Sequence, residues 1–172
     1  MKLIVIRHGA AMDQEEFART GASDNLRPLT AEGEAELRRV ANGLRGEVRT
    51  LSILATSPLV RARQTAEIVA SAFGRGAPEI TNCLMPGAPM EEFETWASAY
   101  SGDAVLAIVG HEPHLSTLVT WLLTGKAESR IRLKKAGACG VEFETAVRRD
   151  SGTLSWLLTP RQLESGIRPR SE

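Results

Sequence analysis

The chain has 172 residues, 42% hydrophobic and 24% charged, the proportions of one ordinary globular domain with a core of its own. Its 21 Lys and Arg balance 21 Asp and Glu, a formal net charge of zero. Nucleic-acid or anionic membrane-surface binding usually shows as a basic excess, so the balance argues against both and leaves room for a local basic pocket.

Residues 2–6 are a short apolar run of β-formers, ended by Arg7-His8-Gly9, and read as a buried strand of a parallel sheet. The run is far too short for a secretory segment or a membrane span, so a cytoplasmic protein is expected. Residues 10–28 are polar and contain Gly, and read as a loop. Thr30 is placed as an N-cap, and Leu37, Val40, Ala41 and Leu44 recur at i, i+3, i+4 and i+7, predicting a helix over 31–44. Residues 51–56 are the next strand. Ser57 as cap and Pro58 at the first helical position then predict a helix running to Phe73, where Gly74 and Gly76 stop it.

Residues 79–84 read as a short strand, 90–100 as a helix after the Pro86-Gly87-Ala88-Pro89 turn, and 104–109 as a buried strand. A helix over 114–123 is ended by Gly125. Two late strands, 140–144 and 153–158, are joined through an Asp150-Ser151-Gly152 turn. From Pro160 the sequence is polar and is expected to fray, giving one domain over 1–160 and a tail over 161–172. Strands alternating with helices predict a three-layer α/β/α sandwich, its central sheet mostly parallel with antiparallel pairing at one side. Cys83 and Cys139 match no metal or redox spacing and read as buried, reduced thiols.

Three segments sit at the carboxyl ends of predicted strands, the edge where open α/β sheets bind ligands. They are Arg7-His8-Gly9, Ser57-Pro58-Leu59-Val60-Arg61-Ala62 and Gly110-His111-Glu112-Pro113. Arg27-Pro28-Leu29-Thr30 precedes a helix and can swing to the same edge. If they converge, two imidazoles and up to three guanidiniums surround one point. Arg forks meet phosphoryl oxygens bidentately, and phosphoryl transfer asks for little beyond positioning and charge neutralisation. A neutral imidazole is a competent nucleophile near pH 7, a second can donate to the equatorial oxygens, and the guanidiniums supply the positive charge, so neither metal nor cofactor is required. Singly, each residue has an ordinary explanation. A lone His is usually structural, Arg61 could be a surface ion pair, Gly9 a turn residue, and His114 reads as a cap or surface residue. The conjunction is less ordinary: two of only three histidines lie at strand ends, each beside a Gly, with arginines at matching sites.

The motifs resemble the histidine phosphatase superfamily, also called phosphoglycerate-mutase-like. Its hallmarks are Arg-His-Gly after the first strand, present as residues 7–9; Ser-Pro-x-x-Arg-Ala, present as 57–62 and continued by Gln64-Thr65-Ala66; and a late Gly-His, present as Gly110-His111. Within it the chain is similar to the bacterial phosphohistidine phosphatases, being too short for the cap insertion of mutases and phytases. Arg27-Pro28-Leu29-Thr30 and the stretch 156–160 also match that branch. The resemblance implies His8 as nucleophile, Arg7, Arg27 and Arg61 on the phosphoryl oxygens with Gly9 beside them, and His111 completing the pocket. One departure stands out. Where many members carry an acidic proton donor, this chain reads Leu84-Met85-Pro86-Gly87-Ala88, with no carboxyl group before Glu91 and Glu92. Glu112 and Asp24 are left as candidate donors, and the gap favours a phosphoramidate, whose imidazole can leave already protonated. The implied substrate is a phosphohistidine on a phosphorelay or phosphotransfer protein, met by a monomer. A small-molecule phosphomonoesterase and a non-catalytic phosphate-binding module are the alternatives.

Overall fold

Strand β1 (Lys2–Arg7) is apolar and buried from Leu3 to Ile6 because both its faces are covered there. Leu3 and Val5 pack into one core while Ile4 and Ile6 pack into another, the strict alternation of a pleated strand. The computed structural model describes residues 1–166. After β1 come α1 (Gln14–Ala18), α2 (Ala31–Glu47), β2 (Ile53–Thr56), α3 (Val60–Ala72), β3 (Glu79–Ile80) and α4 (Met90–Ala97). Then follow β4 (Val105–Gly110), α5 (His114–Thr124), β5 (Ala138–Glu142), β6 (Thr153–Leu158) and α6 (Pro160–Ser165).

The six strands form one sheet in the order β3-β2-β4-β1-β5-β6. The first four are parallel, and β5 and β6 pair antiparallel at one side. Helices α2, α3 and α6 cover one face and α4 and α5 the other, the three-layer sandwich expected. Cys83 and Cys139 are free and buried, as expected. Among the described residues no helix is long and apolar enough to cross a membrane.

Several local expectations are corrected. The segment expected as loop over 10–28 contains α1 and a 3-10 turn at Asp24–Leu26. Its two ends are stitched together by Met12 N–H to Pro28 O at 3.0 Å and Thr30 N–H to Ala10 O at 3.0 Å. The expected strand 79–84 shrinks to two residues followed by a 3-10 turn at Asn82–Leu84. The first of the late strands lies at 138–142 rather than 140–144, because it pairs with β1 from Ile6 opposite Ala138 to Lys2 opposite Glu142.

The segment expected to fray from Pro160 starts as helix α6, closed by a Thr159–Gln162 capping box. Leu163 is buried there against α2, where Gly43 leaves room: a Cβ at 43 would overlap the Leu163 carbonyl oxygen. The rest of the expected tail, residues 167–172, lies outside the described residues. Leu163→Ala is expected to lower stability by about 2–4 kcal/mol, read as a reduced urea midpoint with unchanged slope.

Candidate active site

The register of β1 against β4 builds the site. Arg7 lies opposite Gly110, so His8 and His111 are the first residues past the paired ends. The His8 N–H still reaches the Gly110 carbonyl at 3.1 Å. The two imidazoles therefore stand side by side, ring centroids 5.1 Å apart and tilted 54°. On the other flank of β4, Thr56 lies opposite Val109, which brings Ser57 alongside. Ser57 Oγ sits 2.9 Å from His111 Nε2. This explains why Ser57 does not cap α3 as expected: its hydroxyl faces His111, and the helix starts later, after Leu59, with no side-chain cap.

His8 Nδ1 lies 2.8 Å from the Gly9 carbonyl oxygen. A carbonyl only accepts, so Nδ1 carries the proton and Nε2 is left with its lone pair. Burial, then the nearby charges of Arg61, Arg7 and Arg27, push the His8 pKa down to about 4, although the Gly9 carbonyl opposes this. His111 is pushed down to about 3, chiefly by burial and then by His8 and Arg61. Both rings are neutral at pH 7. If the Ser57 hydroxyl donates to His111 Nε2, the second ring presents Nδ1–H.

The arginines converge from three elements. Arg7 donates through Nη1 to Leu133 O at 2.8 Å. Arg61 donates to Asp24 O at 2.9 Å and pairs with Asp24 Oδ2 at 3.1 Å, and Arg27 Nε pairs with Asp24 Oδ1 at 2.7 Å. The Arg27 hydrogen bond, and then the Arg61 charge, hold the Asp24 carboxyl below its ordinary pKa, so it stays a carboxylate. Three buried side-chain nitrogens have no hydrogen-bond partner among the described residues: Arg7 Nε, Arg61 Nε and His111 Nδ1. All belong to this cluster. A buried donor without a partner costs about 1–3 kcal/mol, so the two guanidinium nitrogens, and His111 Nδ1 where it carries the proton, would suit an acceptor-rich anion.

The cluster opens into a pocket of about 540 Å³ shared by Arg7, His8, Asp24, Arg27, Arg61, His111 and Glu112, and also by Met12, Pro86 and Lys135. A second concavity, of about 560 Å³, lies at the opposite sheet edge and is lined by Glu142, Phe143, Glu144 and neighbouring hydroxyls, with no imidazole or cation. The imidazoles and guanidiniums line the first. Gly9 contributes differently from expectation. Its N–H donates to Thr65 Oγ1 at 3.2 Å, and a Cβ there would overlap Leu37, so it lets α2 close onto the loop. Glu112 accepts from Leu133 N–H at 3.2 Å and from the Ser116 hydroxyl at 2.7 Å. His114 is neither cap nor surface: it is buried, and its Nε2 donates to Cys83 O at 3.3 Å. Among the described residues no group of three or more His, Cys, Asp or Glu is placed to hold a metal ion.

The sequence motif included Gln64 without a role for it, and nothing in it pointed to Lys135. Gln64 Oε1 accepts from Leu29 N–H at 2.8 Å and so ties the Arg27 segment to α3. The adjacent Thr65, spaced as a core position of α3, gave no other signal of its contact with Gly9. Lys135 follows a basic stretch in which charged and apolar residues alternate from Arg130 to Lys134, and nothing in the local sequence pointed it at the pocket.

The histidine phosphatase superfamily (branch 1) model matches residues 3–85, which include Arg7-His8-Gly9 and the Ser57 to Ala62 segment. A Picosynechococcus sp. protein of uncharacterized function is 36% identical over 148 residues, 85% of this chain and 87% of its own length. This chain belongs to the histidine phosphatase superfamily. Another similar member is the phosphohistidine phosphatase SixA of Escherichia coli, 29% identical over 170 residues, covering 95% of this chain and 97% of that one. The solved structure of the protein histidine phosphatase SixA with tungstate superposes with a TM-score of 0.78 at 27% identity, over 95% of this chain and 99% of the other.

A superfamily site with two neutral buried imidazoles has a stability signature. Unfolded histidine titrates near 6.5, whereas His8 and His111 titrate near 4 and 3 in the fold. Below pH 6.5 the unfolded chain binds protons that the native site refuses, so stability falls as pH drops towards 4. The loss is on the order of 2–4 kcal/mol per ring by pH 4. Urea titrations at pH 7, 5.5 and 4.5 should show it, and His8→Ala should flatten the dependence.

Proposed function

We propose that this protein hydrolyses a phosphoryl group through a phosphohistidine formed on His8 Nε2, and that its substrate is a phosphohistidine on another protein. The observation that carries the reading is the His8 tautomer, neutral and sharing one pocket with residues whose three buried side-chain nitrogens lack partners. In the first step the Nε2 lone pair attacks phosphorus, the bond from phosphorus to the substrate imidazole breaks, and that imidazole leaves. Arg7, Arg61 and Arg27 carry the charge of the equatorial oxygens, and His111 Nδ1–H donates to one of them. In the second step water attacks the phosphohistidine, releasing inorganic phosphate and returning His8 neutral.

The carboxylates favour the phosphoramidate. Asp24 is held ionised by two guanidiniums, and Glu112 accepts two hydrogen bonds. Neither is arranged as an acid for a leaving alkoxide, whereas an imidazole can depart with its proton already in place. The similarity to SixA supports the same substrate class, and the partner would be a cytoplasmic phosphorelay or phosphotransfer protein presenting its phosphohistidine to an open pocket.

The test is a panel of phosphohistidine proteins and phosphate monoesters, assayed with EDTA present. Turnover of the phosphohistidine proteins, unaffected by EDTA, is expected to exceed that of the monoesters; the reverse order refutes the assignment. Quenching during turnover should trap acid-labile, base-stable label on wild type and none on His8→Ala. Arg61→Ala should weaken inorganic phosphate binding and turnover together by about 2 kcal/mol or more, since it removes charge-assisted contacts in a buried site.

A further inference from the structure

We propose that Glu112 is a positioning residue that sets the Arg7 guanidinium by fixing the strap that holds it. The strap, residues 126–137, has no helix or strand of its own, and only its last two residues, Ala136 and Gly137, continue from β5 along Arg7 and His8. Yet it touches the nucleophile's strand three times. Leu133 O accepts from Arg7 Nη1 at 2.8 Å, Gly137 O accepts from Arg7 N–H at 3.0 Å, and Ala136 N–H donates to His8 O at 3.2 Å. The Ala136 contact is made with a fully buried alanine at φ 58°, a left-handed conformation that an isolated loop would not keep.

Leu133 is held by its side chain, buried in the core beside α5, and its backbone is held by Glu112. Its Oε1 accepts the Leu133 N–H at 3.2 Å, and its Oε2 accepts the Ser116 hydroxyl at 2.7 Å. The hydroxyl is also 2.9 Å from Pro113 O, and its one proton favours the carboxylate, the stronger acceptor. Ser116 is buried on α5, a rigid element. The connection therefore runs from α5 through Ser116 and Glu112 to the Leu133 N–H, and from the Leu133 carbonyl on to Arg7. With Nη1 committed to Leu133 O, the direction of the unpartnered Arg7 Nε is set by where that carbonyl stands. A guanidinium displaced by about 1 Å loses its alignment with a phosphoryl oxygen.

This proposal rests on the phosphatase reading for its kinetic arm, but its binding arm needs only inorganic phosphate. Glu112→Ala removes both anchors and is expected to weaken inorganic phosphate binding, and raise KM for a phosphohistidine protein, by about 10-fold or more. Glu112→Gln can still accept from Leu133 and meet Ser116, and it removes a negative charge facing the anion. It is expected to bind phosphate at least as tightly as wild type. In an Arg7→Ala background, Glu112→Ala should add no further loss, since its effect runs through Arg7.

Equal phosphate binding by Glu112→Ala and wild type overturns the proposal. So does a Glu112→Gln that falls with Glu112→Ala, which would make the carboxyl proton itself the necessary feature. Should Glu112→Ala fail to fold, Ser116→Ala decides: weakened phosphate binding supports the connection, and unchanged binding refutes it. If wild type binds phosphate but turns over no phosphorylated substrate, the phosphatase reading fails while the binding comparison stands.

Discussion

The in-register parallel pairing of β1 with β4 is the constraint on which the site depends. Arg7 opposite Gly110 puts two imidazoles one residue beyond the last ladder rung, and β2, paired one strand further on, delivers Ser57 and α3 to the same edge. A slip of one residue would turn His8 to the opposite face and send the alternating core residues of β1 into the wrong layers. Two separate apolar cores, one on each face of the sheet, make that slip costly, so the same burial that stabilises the fold fixes the geometry of the site.

The second constraint is electrostatic. Three guanidiniums and two imidazoles share one pocket in a chain whose net charge is zero. The local excess is tolerated because Asp24 pairs with Arg27 and Arg61, while backbone carbonyls of Leu133, Asp24 and Met12 absorb further donors. The compensation is incomplete, and the remaining donors are the ones an anion would satisfy. Burial and positive neighbours also keep the imidazoles neutral. One arrangement thus leaves donors that would suit an anion and keeps the His8 Nε2 lone pair free.

Where local reading failed, long-range contacts outbid local preference. Ser57-Pro58 is a strong helix-opening signal, but the Ser57 hydroxyl faces His111, 54 residues away, and the helix begins after Leu59. Residues 10–28 looked like loop because α1 and the turn at Asp24–Leu26 are too short for an apolar period, and neither contains a buried residue. Polar composition hid α6, whose one buried anchor, Leu163, meets a groove opened by Gly43 on a helix far away in sequence. His114, read as a cap or surface residue, lies on the face of α5 that packs towards Cys83.

What the sequence by itself determined was chemistry and order: Arg-His-Gly and Gly-His at the ends of apolar strands, an Arg one turn into a helix, and the α/β alternation that brings strand ends to one edge. These are legible because strand periodicity and motif spacing are local properties. Only the tertiary structure decided the tautomer of His8, the pairing of Asp24 with two arginines, and the seating of the strap behind Arg7 by Glu112. The Asp24–Arg61 and Glu112–Leu133 contacts join separate elements, and even the short-range His8–Gly9 and Asp24–Arg27 contacts depend on a backbone conformation that packing sets.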